Sequence, residues 1–443
     1  MQITDLINSI ADRGLELFTF GRDRALPEDL PGICRALLSE RGEASGIALA
    51  RELVALYGRL DDAGREAFFT LLARDFGPDH VAIATAARAF VAGPSADGAL
   101  ALAEAAEPPR RELLRRINML PEGTEFVIDL RADALDLVDE KPELRIVDAD
   151  LKHVLTSWFS GGFLELRRIT WETPAIILEK LIQYEAVHAI PGWEFLRRRL
   201  AEDRRCYAFF HPALPNEPVI FVQVALVRGL AGEVGPLLDP TAPVGDPAAA
   251  DTAIFYSITN TLKGLRGISF GSFLLKHVVA DLQQTLPNLT TFSTLSPIPG
   301  FRHWLETVAP QHDRPAIRAA AEALLPVLAG DGGAGEGALE AVGADKTLKA
   351  SLLGLCARYL GAELRPNGRL IDPVARFHLG NGARLERLNW AGDTSPKGLE
   401  QGWGLLVNYL YDPAELERNH EAFVNAGKVA TSRTVARQLK PYL

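Results

Sequence analysis

The feature that most constrains the fold of this chain is a change in hydrophobic period near residue 160. Before this point, apolar residues recur every three or four positions among Ala, Leu, Arg and Glu, as in ASGIALARELVALYGRL at 44–60. This spacing lines one face of an α-helix with apolar side chains. Short breaks rich in Pro and Gly separate the helical segments. Residues 1–158 are therefore predicted to form an all-helical bundle domain that serves packing or assembly.

After the flexible SGGF at 160–163, the sequence becomes rich in Val, Ile, Phe, Tyr and Thr. Strands are predicted at 206–212, 218–227, 252–259 and 289–296. A helix at 271–287 lies between the last two strands and is ended by Pro287. A strand, a Gly-rich turn, a helix and a strand form a βαβ-like unit. The predicted fold class is thus α+β, with the helical domain followed by an α/β domain at 159–443.

Two segments of low complexity interrupt the second half. Residues 231–251 are rich in proline and are interpreted as an excursion between two strands. Residues 329–345 are rich in Gly and Ala and are predicted to form a mobile surface loop. This loop separates the two segments discussed below that contain Ser296 and His378, so a site that uses both must be assembled by folding.

The charge balance argues against nucleic acid as a partner, because the net charge is −10 and the pI is about 5.5. Arginine clusters occur at 110–111, 115–116, 167–168, 197–199 and 204–205. They form either solvated helix faces or a local site for an anionic ligand. The three cysteines form no CxxC pair, so a zinc site or disulfide framework is not indicated and a reducing compartment fits. No apolar run reaches the roughly 18 residues that a membrane span needs.

The turn that leads into the 271–287 helix is the first candidate site. Gly264, Gly267 and Gly271 allow backbone N–H groups to approach a ligand closely, and a helix N-terminus favours an anion. Lys263 and Arg266 add positive charge. The pattern is neither GxGxxG nor GxxxxGK[ST], so Rossmann and Walker binding are not indicated. The segment is either a pyrophosphate cradle or a strand–helix turn that binds nothing.

The second candidate is Ser296, at the end of the strand in FSTLSPIPGF. Pro297 and Pro299 restrict the backbone on both sides of Ile298, so one hydroxyl is held rigidly. The segment lacks a GxSxG elbow, which argues against an α/β-hydrolase. A Pro-stiffened loop with a capping serine is the alternative.

The third candidate is His378, in DPVARFHLGNG. Asp372 and Pro373 form an N-cap and first-turn pair, so His378 is predicted to lie at the end of a short helix. None of the nine histidines occurs in HExxH, so a metal site is not indicated. The histidine is either structural or catalytic. A serine, a histidine and an anion cradle together suggest acyl-group chemistry without naming a substrate.

Several long segments resemble malonyl-CoA decarboxylases. They are HPALPNEPVIFVQVAL (211–226), AIFYSITNTLKGLRGISFGSFLLKHVV (253–279), FSTLSPIPGFRHWL (292–305), DPVARFHLGNGARLERLNWAGD (372–393) and NYLY (408–411). The resemblance extends from about residue 150 to the end. It implies a GNAT-type acyltransferase fold for the second domain and the conversion of malonyl-CoA to acetyl-CoA and CO2, with no metal, biotin or other cofactor.

The same resemblance implies the site residues. It makes Ser296 and His378 the catalytic pair and Tyr411 an active-site tyrosine. It assigns the CoA phosphates to a loop made of Arg266, Gly267, Ile268, Ser269, Phe270, Gly271 and Ser272. We hypothesise that Ser296 and His378 engage the malonyl group as a hydrogen-bonded pair. His378, with its pKa in a usable range, is the favoured proton donor to the thioester enolate, and the reverse assignment stays open.

One departure from the family pattern concerns the group that orients His378. Animal relatives have an acidic residue where this chain has Ser269. Another group must then orient the histidine, and Asp393 is a candidate, with a turn or capping role as its alternative.

Two other functional classes remain open from the sequence. One is a GNAT-type CoA-dependent acyltransferase, and the other is a sensor that binds CoA thioesters without catalysis. The expected partners are malonyl-CoA and acetyl-CoA, with no nucleic acid and no membrane. A homo-oligomer, either a dimer or a tetramer, is expected. The N-terminus lacks the pattern of a leader, which favours a cytoplasmic bacterial enzyme of malonate or fatty acid metabolism.

Overall fold

The fold was analysed in a computed structural model, which describes residues 29–39, 43–268, 273–330 and 335–443. The chain divides into two compact units. The first comprises the described residues up to Glu165, the segment His211–Glu217 and the described residues of Leu262–Phe270. The second comprises Leu166–Phe210, Pro218–Thr261 and the described residues from there to Leu443. Two excursions of the second half of the sequence therefore belong to the first unit.

The first unit is helical in its described residues. Its helices are α1 (Leu30–Leu38), α2 (Glu43–Tyr57), α3 (Asp62–Arg74), α4 (His80–Ala92), α5 (Ala96–Ala106), α6 (Pro109–Ile117), α7 (Gly123–Leu137) and α8 (Arg145–Trp158). Side chains of Asp61, Asp79 and Ser95 accept hydrogen bonds from first-turn N–H groups and so start α3, α4 and α5. The predicted N-terminal helical region is confirmed.

A mixed sheet forms the centre of the second unit. Its strands are β1 (Glu165–Ile169), β2 (Arg204–Phe210), β3 (Pro218–Val227), β4 (Thr252–Asn260), β5 (Thr291–Thr294), β6 (Ser296–Pro297), β7 (Arg384–Asn389) and β8 (Leu406–Leu410). The order is β1-β2-β3-β4-β5-β8-β6, and β7 also pairs with β8. The β4–β5 pair is parallel, whereas the β2–β3, β3–β4 and β7–β8 pairs are antiparallel.

Helices surround this sheet and leave its central strands buried. They are α9 (Ala175–Tyr184), α10 (Trp193–Arg199), α11 (Gly235–Leu238), α12 (Phe273–Thr285), α13 (Phe301–Thr307), α14 (Pro315–Leu328), α15 (Glu336–Ala344), α16 (Lys346–Gly361), α17 (Pro373–Gly380), α18 (Pro396–Gly402), α19 (Leu416–Ala426) and α20 (Arg433–Leu439). In β3 every residue except Val227 is buried, which explains a sequence that is apolar apart from Gln223. The predicted α+β class, a helical region followed by a mixed-sheet region, is confirmed.

The predicted strand at 289–296 is divided in the structure. β5 pairs with β8 through Ser293 and Leu410, and β6 pairs with β8 through Ser296 and Val407. Between them, the Leu295 N–H donates to the carbonyl of Phe255 on β4 and continues the parallel β4–β5 pairing. The interruption therefore lies in the pairing with β8, which local sequence preference does not encode.

The predicted mobile loop at 329–345 is wrong for its second half. Residues 336–344 form helix α15, and Leu339 and Val342 are buried on one side of it. Two apolar residues three positions apart, among alanines, are sufficient for a short packed helix. Residues 331–334 lie outside the described part of the chain.

Candidate active site

Ser296 begins the two-residue strand β6 and is only 6% exposed. Pairing of Ser296 with Val407 and of Pro297 with Leu406 holds this segment against β8. Beyond it, Gly300 has φ +79, so the chain turns sharply into α13. The serine hydroxyl is consequently fixed by sheet pairing on one side and by a tight turn on the other.

His378 lies in the last turn of α17 and is 3% exposed. Asp372 Oδ1 accepts a hydrogen bond of 2.6 Å from the N–H of Ala375 and caps the helix, as the Asp-Pro pair predicts. The imidazole ring stacks on Tyr409 of β8, with ring centroids 4.6 Å apart and an angle of 24° between the planes. A helix end and a buried aromatic ring thus determine the orientation of the imidazole.

The three residues implied as catalytic lie together. His378 Nε2 is 3.3 Å from Ser296 Oγ, and His378 Nδ1 is 2.7 Å from Tyr411 Oη. Tyr411 follows β8 directly, and its N–H donates to the carbonyl of Phe292 on β5. Each nitrogen of the imidazole therefore has one hydroxyl partner, and both partners are buried.

The protonation of His378 differs from the expectation based on an ordinary histidine. Burial lowers the pKa of His378 to about 3, and burial also raises the pKa of Tyr411 well above its usual value. This pKa lies below the usable range expected of His378 as a proton donor. The imidazole is neutral in this site because desolvation disfavours its charged form.

Thr294 and Asn408 are parts of this site that the sequence analysis did not identify. Ser296 Oγ donates a hydrogen bond of 2.9 Å to Thr294 Oγ1, which also accepts from the N–H of Tyr409 at 3.2 Å. Asn408 Nδ2 donates to the Thr294 carbonyl at 2.7 Å. Both side chains are fully buried. The sequence does offer a sign of their importance. Thr294 lies within FSTLSP and Asn408 within NYLY, where a hydroxyl and an amide neighbour apolar residues.

Asp393 lies in a different environment from the one expected of an orienting group. Its Oδ1 accepts the N–H of Ser395, and its charge opposes the lowering of the pKa of His188 that burial causes. Among the hydrogen bonds of the described residues, those of the His378 side chain go to Ser296 and Tyr411. The orienting role considered for Asp393 is thus wrong, and its turn-capping alternative agrees with the structure.

A cavity of about 250 Å³ borders Tyr411. Its apolar side comes from α12 and the start of α19, with Leu275, Val279, Ala280 and Leu416, while Asn381 adds a polar group next to the end of α17. The cavity therefore adjoins one of the two hydroxyl partners of His378. It provides space for a small, mainly apolar group beside Tyr411.

The loop assigned to the CoA phosphates begins in the first unit. Lys263–Leu265 form a 3₁₀ turn packed on α7, where a Cβ at Gly264 would lie 1.9 Å from the carbonyl oxygen of Ile128. Gly267 has φ +74, which favours glycine. The glycines at 264 and 267 therefore serve close packing and a left-handed turn. Of the remaining loop residues, Ser269, Phe270, Gly271 and Ser272 lie outside the described residues.

Arg131 on α7 anchors this loop, and the sequence reading missed it. Its Nη1 donates to the carbonyls of Gly264 and Arg266 at 2.6 and 2.9 Å, and its Nε donates to Asp148 at 2.9 Å. The feature that could have identified Arg131 is its place within the apolar helix face that contains Val127, Ile128 and Ala134. Lys263, expected to add charge to a phosphate site, instead forms an ion pair with Asp136.

The interpretation of the arginine clusters as solvated helix faces is wrong for several of these arginines. Arg110 contacts Asp150 at 2.5 Å, Arg198 contacts Asp203 at 2.6 Å, and Arg199 donates to Gln223 at 2.8 Å. All three arginines are buried, and burying a guanidinium requires partners of this kind. These arginines serve internal pairing, whereas Arg115 forms the expected half-exposed contact with Glu112.

Within the described residues, no cluster of three or more His, Cys, Asp or Glu side chains has an arrangement suited to a metal ion. The same part of the chain contains no helix that combines the length and apolar character of a membrane span.

Two family models match the chain. The model of the malonyl-CoA decarboxylase C-terminal domain matches residues 162–443, and that of the malonyl-CoA decarboxylase N-terminal domain matches residues 76–159. Among curated proteins, the mitochondrial malonyl-CoA decarboxylase of Anser anser anser is 35% identical over 420 residues, covering 87% of this chain and 82% of that protein. The mitochondrial malonyl-CoA decarboxylase of Mus musculus is 34% identical over 443 residues, covering 93% and 89%.

Solved structures agree with this result. The malonyl-CoA decarboxylase of Rhodopseudomonas palustris is 47% identical with a TM-score of 0.85, covering 94% of this chain and 100% of that one. The malonyl-CoA decarboxylase of Agrobacterium vitis is 45% identical with a TM-score of 0.84, covering 93% and 99%.

Proposed function

Because the chain belongs to the malonyl-CoA decarboxylase family, we propose that it converts malonyl-CoA to acetyl-CoA and CO2 with Ser296 and His378 as the pair that engages the malonyl group. The observation that carries this proposal is the 3.3 Å approach of His378 Nε2 to Ser296 Oγ. The two residues are 82 positions apart in sequence and both are buried. A buried hydroxyl–imidazole contact within the part matched by the family is a suitable place for acyl chemistry.

The reaction needs orientation and charge stabilisation more than a new bond to the protein. The bond between the carboxylate and the α-carbon breaks, its electron pair enters the thioester π system, and CO2 leaves. The protein must align that bond with the carbonyl π orbitals and place hydrogen-bond donors near the enolate oxygen. The enolate then takes one proton at the α-carbon, and solvent replaces that proton.

The hydroxyls and the imidazole are assigned to these tasks as follows. Ser296 orients the malonyl group, His378 delivers the proton to the α-carbon, and Tyr411 holds His378 through Nδ1. The neutral state of His378 is compatible with this role, because a neutral imidazole N–H is a sufficient acid for an enolate and neutral histidines act as electrophiles in other enzymes. In the reverse assignment, Ser296 is the donor and His378 orients the malonyl group.

The loop of residues 266–272 is proposed to hold the CoA phosphates. Its charged member is Arg266, whose backbone carbonyl is held by Arg131. Phosphate contacts bind the ground state and the transition state alike, so this loop determines affinity for the substrate. We further propose a cytoplasmic homo-oligomer as the working form.

Incubation of the purified chain with malonyl-CoA alone tests the function. Acetyl-CoA and CO2 should appear in equal amounts without an acceptor amine. Acetyl or malonyl transfer that requires an added amine would identify a CoA-dependent acyltransferase instead. Binding of malonyl-CoA without any turnover would identify a sensor. Either of these results would overturn the proposal.

A further inference from the structure

We propose that Thr294 is a positioning residue that fixes the direction of the hydrogen bonds through Ser296 and His378, so that His378 presents a proton rather than a lone pair to the malonyl group. Its catalytic meaning rests on the proposed function. The hydrogen-bond direction itself is a property of the resting protein.

The direction begins at the Ser296 hydroxyl. Ser296 Oγ donates to Thr294 Oγ1 over 2.9 Å. Thr294 is 0% exposed, and its oxygen also accepts the backbone N–H of Tyr409 at 3.2 Å. A hydroxyl oxygen has two lone pairs, so these two donors use the acceptor capacity of Thr294. Thr294 is held as an acceptor by the sheet as well as by Ser296.

This arrangement determines which nitrogen of His378 carries the proton. A serine hydroxyl has one hydrogen, which here is directed at Thr294. Ser296 Oγ can therefore only accept in its contact with His378 Nε2, 3.3 Å away. It follows that Nε2 carries a hydrogen and donates it.

The other nitrogen agrees with this assignment. Burial lowers the pKa of His378, so the imidazole is neutral and has a single N–H. With Nε2 protonated, Nδ1 carries a lone pair and accepts a hydrogen bond from the hydroxyl of Tyr411 at 2.7 Å. The hydrogen bonds run in one direction, from Tyr411 through His378 and Ser296 to Thr294.

This direction separates the site from a serine nucleophile with a histidine base. In that arrangement the histidine nitrogen next to the serine is unprotonated, and its lone pair accepts the serine proton. Here the same nitrogen is a donor and the serine proton faces away. His378 can thus give a hydrogen bond or a proton to the malonyl group, but it does not activate Ser296 for attack on the thioester.

The tautomer can be measured directly. The full-length protein is labelled with ¹⁵N,¹³C-histidine, and solid-state NMR is recorded at pH 7.5 without substrate, with the His378→Gln spectrum identifying the signals of His378. We expect a protonated Nε2 and an unprotonated Nδ1. The opposite tautomer, or a doubly protonated ring, would overturn the proposal.

The Thr294→Val variant tests the positioning. Valine keeps the shape but removes the acceptor, so the Ser296 hydroxyl can turn toward Nε2. We expect a change to the Nδ1–H tautomer and a fall in kcat of roughly 10- to 100-fold, with KM within about twofold. Thr294→Ser should retain both the tautomer and kcat. Thr291→Val, on the same strand and half-buried, is the matched control.

The outcomes separate this proposal from the proposed function. Unchanged tautomer and kcat in Thr294→Val would overturn the role of Thr294. If the wild-type chain shows the expected tautomer but does not decarboxylate malonyl-CoA, the proposed function fails and the hydrogen-bond direction stands. Because valine also leaves the Tyr409 N–H without its acceptor, circular dichroism checks folding. If Thr294→Val does not fold, the test rests on two other results. These are the tautomer of His378 in the wild type and the retention of that tautomer and of kcat in Thr294→Ser.

Discussion

At the scale of single residues, the contact between Ser296 and His378 is the part of the site most open to a direct test. Substitution of either residue by alanine should lower kcat by roughly 10²- to 10⁴-fold, because each removes a group that we propose engages the malonyl moiety. Steady-state assay of acetyl-CoA formation measures the effect. His303→Ala, an exposed histidine on α13, is the control and should retain full activity. Near-normal rates in both active-site variants would contradict the assignment.

The low pKa of His378 predicts an unusual pH dependence. A histidine that gave its proton as an imidazolium with an ordinary pKa of about 6.5 would lose activity as pH rises above that value. His378 has a pKa of about 3 through burial, so it is already neutral across the range from pH 6 to 8. We therefore expect kcat to remain level across this range. A fall in kcat centred near pH 6.5 would show that the charged ring is the donor.

At the scale of elements, α7 and the 262–268 segment act together. Arg131 satisfies two carbonyls of that segment, and lysine at this position has one ammonium group in place of the guanidinium fork. Arg131→Lys and Arg266→Ala should each raise KM for malonyl-CoA several-fold while kcat changes little, because the phosphate contacts proposed for this loop bind ground and transition states alike. Initial-rate kinetics measure both constants. Arg145→Lys, exposed on α8, is the control, and a selective loss of kcat would contradict a binding role for the loop.

Asp372 connects the stability of α17 to pH. Its carboxylate is buried, and desolvation raises its pKa from 3.8 to about 7. Between these values the folded state holds a proton that the unfolded state has lost. The contribution of Asp372 to the free energy of unfolding is therefore fully present below pH 3.8 and is lost as pH rises to about 7. Asp372→Asn keeps a capping oxygen and removes this dependence.

The difference in unfolding free energy between Asp372→Asn and the wild type should therefore shift in favour of the variant from pH 4 to pH 7, and then become constant. Urea unfolding at a series of pH values measures it. The variant must be compared with the wild type because His378 has the opposite effect on the pH dependence of stability. Its pKa is lowered by burial, so the stability that it contributes to the folded state falls as pH drops below 6.5. A pH-independent difference would show that Asp372 is ionised throughout.

At the scale of the whole molecule, helices α4 and α5 indicate an assembly surface. Both lie within the described range 43–268, and neither has a buried residue, although both are rich in apolar residues. Val81, Val91 and Leu100 are 74%, 78% and 59% exposed. Apolar helix faces of this kind commonly mark protein–protein contacts.

We expect the purified chain to be a dimer or tetramer in light scattering coupled to gel filtration. The Val91→Glu and Leu100→Glu variants should shift it to a smaller species, because a charge would be buried without a partner in the interface. Val424→Glu on α19, with 61% exposure, is the matched control and should keep the wild-type mass. A monomeric wild type, or variants that keep its mass, would contradict the use of this surface.

Local sequence patterns predicted the features that depend on neighbouring residues in the chain. Helical spacing before residue 160 and the apolar run of β3 predicted their elements, because periodicity and length report burial directly. The Asp-Pro cap predicted the helix that ends near His378 for the same local reason. The motifs around Ser296 and His378 indicated the family, which the comparisons show. The boundary between domains at 158 and 159 and the roles of the site residues stay predictions.

The chemical state of the site, in contrast, follows from the folded structure. The pKa of His378 depends on burial, and the direction of its hydrogen bonds depends on Ser296, Thr294 and Tyr411, whose positions relative to it no local pattern contains. Arg131 and the 262–268 segment likewise meet across 133 residues of chain. Desolvation and hydrogen-bond geometry arise from neighbours in space, so residue types alone identified the candidates but not the protons that they carry.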